Sequence, residues 1–254
     1  MKTFSILGCG WLGFALAKIL QNNYNLNVST SNQKKHEEFG SFGWNSFIIN
    51  ESNHKNLEEF LQCNFLLIAL PPSKFKNLNS FLEKVLTHPS IKQIEKIIFI
   101  SSTSVYDNKQ REFFENSLIE KPSSSLVFSA EKMVKPYCDV ILRCAGLMGY
   151  DRVAGKYFSG KEVVDKNNPV NYVHRDDVVR AVIFSIKKDL TGIYNLCACL
   201  HPTKEEVYEH NSLKYNFKTP LFIQNKETFN RIINAQKIEK IGFKFLYKNP
   251  LEFN

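Results

Sequence analysis

"ILGCGWLGFALA", Ile6–Ala17, decides how the rest of the chain is read. It sets Gly8, Gly10 and Gly13 between a short apolar run, Thr3–Leu7, and a stretch with helical spacing, Trp11–Leu20. A strand, then Gly-x-Gly-x-x-Gly, then a helix is the setting in which this spacing binds a dinucleotide. The first glycine permits a tight turn, the second lets the backbone approach a pyrophosphate, and the third lets the helix pack close to the sheet. The helix N-terminus adds free N–H groups and a partial positive charge. Gly8, Gly10, Trp11, Leu12 and Gly13 are therefore candidate cofactor-binding residues. The same glycines would also suit a tight turn and helix packing with no ligand at all.

Outward from this loop, strand-like and helix-like segments alternate. Leu26–Thr30, Ser46–Ile49, Phe65–Leu70, Lys96–Ile100 and Val140–Leu142 read as strands. Leu57–Leu61, Phe75–Leu86 and Ser125–Lys135 read as helices, and within Trp11–Leu20 the residues Leu12, Leu16, Ile19 and Leu20 share a face. Continuous apolar strands separated by helices imply a parallel sheet covered on both sides. The expected fold class is α/β, a Rossmann-type doubly wound parallel sheet with a small C-terminal substrate lobe. Residues 1–146 form the dinucleotide-binding core in this reading. Residues 147–254 form the lobe, interleaved with the last core strand and helix. "PVNYVHRDDVVRAVIFSI", Pro169–Ile186, predicts a strand and then a helix with Asp176 as its N-cap. Ile193–Leu196 and Phe243–Tyr247 are strand-like, and Thr203–Glu206 is a capping box.

The 254 residues are 43% hydrophobic and 23% charged, which suits a globular chain with a substantial core. No apolar run approaches the roughly 20 residues that cross a bilayer. The N-terminus lacks the charged, apolar and small-residue regions of a signal peptide, so the expected location is cytoplasmic. Cys9, Cys63, Cys138, Cys144, Cys197 and Cys199 sit mostly in apolar stretches, as reduced structural cysteines do. Cys197 and Cys199 have no second pair at zinc-finger spacing, so no metal site is expected. The net charge of +8 invites a polyanionic partner. The lysines are nevertheless spread along the chain, with no block of five or six, and nucleic acid is not the expected partner. A small-molecule substrate is expected, with no membrane partner, and a homodimer is left open.

The second strand bears on the choice of cofactor. An acid at its end would bind the ribose hydroxyls of NAD. "VSTSNQKK", Val28–Lys35, holds no acid. Thr30, Ser31 and Lys34, with Ser29 and Lys35 beside them, could hold a 2′-phosphate and favour NADP slightly over NAD. The same lysines also suit a solvated helix start.

"FISSTSVYD", Phe99–Asp107, follows the fifth strand. With the glycine loop it resembles the extended short-chain dehydrogenase/reductases, the NAD-dependent epimerase/dehydratase family. "ILRCAGLMG" (Ile141–Gly149) and "PVNYVHRDDVVRAV" (Pro169–Val182) are similar to later motifs of that family. "HPTKEEVYE" and "IEKIGFKF" resemble the ending of an atypical branch. The resemblance spans essentially the whole chain. It implies an oxidoreductase or epimerase/dehydratase-like enzyme that uses NAD or NADP on a small polar, sugar-like substrate. It implies a catalytic role for Ser102, with Thr103 and Tyr106 beside it. It places Ala69, Leu70, Pro71, Ser101, Ala145, Gly146 and Leu147 along the cofactor, and Asn171, Val173 and His174 at the substrate cleft.

The departures also matter. Leu7 stands where the family has its first loop glycine, and Gly8 takes over. Counting back eight residues from Glu131 places Ser123 at the tyrosine of the family's Tyr-x-x-x-Lys pair and Val127 at its lysine. Neither can do that acid–base work. The proton must come from Tyr106, Tyr150, Tyr157, His174 or water. The alternative is a dinucleotide-binding sensor or scaffold without catalysis.

Overall fold

A computed structural model describes residues 1–108, 111–119, 125–223 and 230–254. In chain order the elements are β1 (Thr3–Leu7), α1 (Trp11–Leu20), β2 (Asn25–Thr30), α2 (Gln33–Ser41), β3 (Asn45–Ile48), α3 (Leu57–Phe60) and β4 (Phe65–Ile68). There follow α4 (Leu78–Leu86), β5 (Lys96–Ser102), β6 (Glu112–Phe113), α5 (Leu126–Val134), β7 (Val140–Cys144), β8 (Gly146–Met148) and β9 (Glu162–Val163). The chain ends with β10 (Tyr172–His174), α6 (Arg175–Lys187), β11 (Gly192–Leu196), α7 (Lys204–Lys214), β12 (Leu221–Phe222), β13 (Ile232–Ile233) and α8 (Gln236–Lys240).

Seven strands form one sheet in the order β11-β7-β5-β4-β1-β2-β3. The pairs β3–β2, β2–β1, β1–β4 and β4–β5 are parallel, with Ile6 between Val28 and Leu67. β4 reads Phe-Leu-Leu-Ile and is buried throughout, as a strand covered on both faces must be. The order reverses between β1 and β4, so their carboxyl ends form the switch point where α/β sheets open a crevice.

The chain divides into two compact units. One is Met1–Ser101, Lys121–Leu142 and Val182–Ile193; the other is Ser102–Glu120, Arg143–Ala181 and Tyr194–Asn254. Each unit is thus built from three separate stretches of the chain. The chain leaving β5 joins the second unit because β6 pairs with β13, Glu112 opposite Ile232. The first unit packs Leu7, Leu66, Ile68, Leu82, Val85 and Phe99 into its core. In the second, Val163, Val170, Val207 and Tyr208 cluster.

The Thr203 capping box forms as expected: Glu206 N donates to Thr203 Oγ1, and Thr203 N to the Glu206 carboxylate. All six cysteines are free thiols. Three local expectations fail. Ile19 is 52% exposed rather than sharing the buried face of Leu12, Leu16 and Leu20. α6 starts at Arg175, which puts Asp176 inside its first turn, and the Asp176 amide donates to His174 Nδ1. Phe243–Tyr247 is no strand. Phe243 and Phe245 are buried in alternation, but the amides of Leu246 and Tyr247 donate to the Asp177 carboxylate rather than to a neighbouring strand.

Candidate functional site

The glycine loop joins β1 to α1 at the switch point, and its three glycines differ physically. Gly8 has φ +96°, and a Cβ there would lie 2.5 Å from the Ala69 carbonyl oxygen. A Cβ on Gly13 would lie 2.7 Å from the Gly8 oxygen and 2.9 Å from Ile6 Cγ2. Both are demanded by the fold itself. Gly10 is not: its φ of −89° suits any residue, and a Cβ there would meet nothing within 4 Å. Gly10 is the N-cap of α1 and lines open space, so with no side chain there the helix start faces that space. Leu12 is buried and Trp11 half-buried in the first turn. That turn directs N–H groups without intrahelical acceptors past Gly10.

A crevice of about 540 Å³ lies over this loop within the first unit. Gly8, Cys9 and Gly10 form one wall, Thr30, Ser31, Asn32 and Lys35 a second, and Ala69, Leu70, Pro71 and Lys74 a third. The Gly8 amide donates to Ser29 Oγ at 2.9 Å, and the Cys9 amide to the Ser29 carbonyl at 2.9 Å. Ser29 thus ties the loop to β2. Burial pushes the Cys9 thiol up to about 12, so it lines the crevice as a neutral group. Asn32 caps α2 by accepting from the Lys35 amide at 3.0 Å. This phase turns Lys35 onto the crevice, while Lys34 is exposed and does not line it. Glu51 also lines the crevice, but its two oxygens accept from the Lys76 amide at 2.9 Å and the Asn77 amide at 2.6 Å. Those bonds hold its carboxyl below the usual carboxylate range. Glu51, Lys74 and Phe75 are crevice residues that the sequence reading missed, because nothing local marks a loop as facing one.

The end of β5 carries the serine cluster. Ser101 is buried and donates to Glu131 Oε2 at 2.6 Å, which occupies its hydroxyl. Ser102 is half-buried, and its Oγ accepts from the Ser104 amide at 3.1 Å. That leaves the Ser102 hydroxyl proton for another acceptor. Thr103 is buried, and its carbonyl accepts from Arg231 Nη2 at 2.6 Å. Tyr106 is fully enclosed. Its hydroxyl donates to Asn195 Oδ1 at 2.8 Å and accepts from Arg143 Nη1 at 2.8 Å, while burial pushes its phenol up. Val127 lies half-buried on α5, and Ser123 falls outside the described residues.

In the second unit β8 and β10 pair in parallel, Gly146 with Tyr172, Leu147 with Val173 and Met148 with His174. Ala145 is buried, with its amide on the Leu196 carbonyl. The expected cofactor residues Ala145, Gly146 and Leu147 therefore run beside the expected substrate residues Asn171, Val173 and His174. Asn171 is engaged with the backbone: Nδ2 donates to the Arg231 carbonyl and Oδ1 accepts the Ile233 amide, each at 2.8 Å. Val173 is buried, and His174 stacks on Tyr247 at 3.7 Å between ring centroids. Burial holds the His174 imidazole below its ordinary value, which favours the neutral ring whose Nδ1 accepts from Asp176. Tyr150 is exposed and donates to Asp176 Oδ2 at 2.5 Å; that bond holds its phenol above the ordinary value. Tyr157 is exposed, with Lys161 Nζ 4.2 Å from its ring centroid.

The chain superposes on a conserved protein from Silicibacter pomeroyi, described as functionally unknown, with a TM-score of 0.79 at 17% identity, covering 99% of this chain and 96% of that one. It superposes on Helicobacter pylori ADP-L-glycero-D-manno-heptose-6-epimerase with a TM-score of 0.74 at 16% identity, covering 99% and 94%. For Bacillus cereus UDP-glucuronic acid 4-epimerase, solved in complex with NAD, the values are 0.77 and 16%, covering 100% and 97%. The fold is that of the extended short-chain dehydrogenase/reductases. In sequence, the chain is 28% identical, over an alignment 273 positions long, to protein YeeZ of Escherichia coli K12, covering 99% of this chain and 98% of that protein. No protein-family model matches it. Among the described residues, no helix is long and apolar enough to cross a membrane. In this fold the carboxyl ends of β1, β2 and β4 carry the crevice, and the end of β5 carries the serines.

Proposed function

We propose that the protein binds a nicotinamide dinucleotide in the crevice over the glycine loop and acts as an oxidoreductase or epimerase-like enzyme on a small polar, sugar-like substrate. The observation that carries the reading is the space at Gly10, a cradle that a Cβ would partly fill and that the fold does not require. Polar walls and a helix N-terminus match the chemistry of a diphosphate. When bound, the nicotinamide supplies hydride transfer. The chain supplies the rest: the α1 amides hold the diphosphate, Ala69, Leu70 and Pro71 flank the cofactor, and the Ser102 hydroxyl donates to a substrate oxygen. NADP is favoured over NAD because Thr30, Ser31, Asn32 and Lys35 face the crevice where an acid would select NAD. Glu51 does not oppose this, since backbone amides already occupy its charge.

Calorimetric titration with NAD, NADH, NADP and NADPH tests the reading. NADPH is expected to bind about tenfold more tightly than NADH, and Lys35→Glu to remove that margin, a difference of about 1.4 kcal/mol. Gly10→Ala is expected to weaken every dinucleotide at least tenfold while the melting temperature stays within a few degrees of wild type. Retained affinity in that variant would mean the open cradle serves no ligand. A second reading, binding without turnover, is favoured by Val127 on α5 and by the enclosure of Tyr106. A screen of carbonyl and carbinol substrates separates the two, since stoichiometric consumption of cofactor excludes a silent sensor.

A further inference from the structure

Arg231 lies 128 residues from Thr103 in sequence, yet its side chain spans the turn that follows the serine. Nη2 donates to the Thr103 carbonyl at 2.6 Å and Nε to the Asp107 carbonyl at 3.2 Å. The two acceptors bracket the turn, whose own bond runs from the Tyr106 amide to the Thr103 carbonyl at 3.2 Å. A planar guanidinium can hold both carbonyls in one geometry, which a rotating ammonium cannot. Arg231 is itself anchored, since Asn171 bonds its carbonyl and the Ile233 amide two residues on. On the other side of Ser102, Ser101 is fixed by its bond to the buried Glu131. Ser102 thus lies between two pinned neighbours, with its Oγ oriented by the Ser104 amide and its hydroxyl proton not needed for that bond.

We propose that Arg231 is the positioning residue of the serine turn: its two-point hold on the Thr103 and Asp107 carbonyls fixes the direction of the Ser102 hydroxyl. The proposal rests on the reading that Ser102 meets the substrate. It assigns a use to a half-buried cation that two main-chain carbonyls hold in place. A hydroxyl held in this way needs no rearrangement when a substrate oxygen arrives, which is where preorganised donors gain their effect.

The test is amide hydrogen exchange by NMR on the full chain, for wild type, Arg231→Ala and Arg231→Lys. In Arg231→Ala the Ser104 and Tyr106 amides are expected to exchange at least tenfold faster. The Leu67 and Ala69 amides of the first unit are expected to stay within twofold. Arg231→Lys, with one point of contact, should fall between the two. NADPH affinity, measured alongside, should change by less than twofold. Unchanged exchange at Ser104 and Tyr106 overturns the proposal. So does a uniform acceleration of all amides, which would make Arg231 a general fold tie. Absence of NADPH binding by the wild type would instead overturn the functional reading, an outcome on which the exchange data do not depend.

Discussion

Gly8→Ala is expected to destabilise the protein by about 3 kcal/mol, a large share of the 5–15 kcal/mol typical of a folded chain. Two costs add. The residue adopts φ +96°, where an L side chain costs about 1–2 kcal/mol. The new Cβ would then sit 2.5 Å from the Ala69 carbonyl oxygen, which is main chain and belongs to the neighbouring β4 connection. Relieving that contact means moving backbone at the switch point, an overpacking cost of about 1–3 kcal/mol. For a chain of this size, about 3 kcal/mol corresponds to a fall of roughly 6–12 °C in melting temperature. Thermal melts of Gly8→Ala and Gly10→Ala side by side are the measurement. The first should melt early, and the second close to wild type, because its Cβ meets nothing within 4 Å. Equal stability of Gly8→Ala and wild type would mean the loop relaxes freely and the turn is not tight.

That contrast shows what the sequence could and could not reveal. Spacing alone identified a strand, a glycine loop and a helix, because burial on both faces makes β4 wholly apolar and leaves β1 apolar but for Thr3 and a buried, hydrogen-bonded Ser5, so both are legible as apolar runs. It could not separate the glycines that the fold requires from the one it does not, since that depends on where Ala69 and Ile6 lie in space. The lysines show the same limit at closer range. Lys34 and Lys35 are equivalent in composition, and only the Asn32 cap, by setting the phase of α2, turns the second of them onto the crevice. Tyr106 looks like a catalytic neighbour in "SSTSVYD". Its enclosure depends on Arg143 and Asn195, 37 and 89 residues further along, and no local pattern records such partners. Phe243–Tyr247 alternates as a strand does, but the Asp177 carboxylate takes the amides that a neighbouring strand would have accepted. Arg231 was invisible for the same reason as Asn195: its acceptors are carbonyls, and carbonyls carry no sequence.

Arg143→Ala is expected to cost more than any other single change considered, about 3–5 kcal/mol, from the cavity left by a large buried side chain together with the hydrogen-bond partners it leaves behind. Arg143 is 3% exposed on β7. Its Nη1 donates to the Tyr106 hydroxyl at 2.8 Å and to the Glu115 carbonyl at 3.2 Å, and its guanidinium carbon lies 5.0 Å from the Tyr106 ring centroid. Asn195 completes the network: it accepts from Tyr106, its Nδ2 donates to the Asn234 carbonyl at 2.9 Å, and its own amide donates to Glu115 Oε1 at 2.9 Å. One cation therefore organises groups from β7, β11 and the segments around Tyr106 and Glu115. Alanine would leave a cavity and take the donor from the buried Tyr106 hydroxyl and from the Glu115 carbonyl. Tyr106→Phe should cost less, about 1–3 kcal/mol, because it removes one hydroxyl while leaving Arg143 and Asn195 in place with one partner fewer each. Chemical denaturation of the two single variants and the double variant measures the coupling. A shared network predicts that the double variant is less destabilised than the sum of the singles, because once Arg143 is gone the Tyr106 hydroxyl has less left to lose. Strict additivity would mean the two side chains act independently, and the enclosure of Tyr106 would then need another cause than the bond to Arg143.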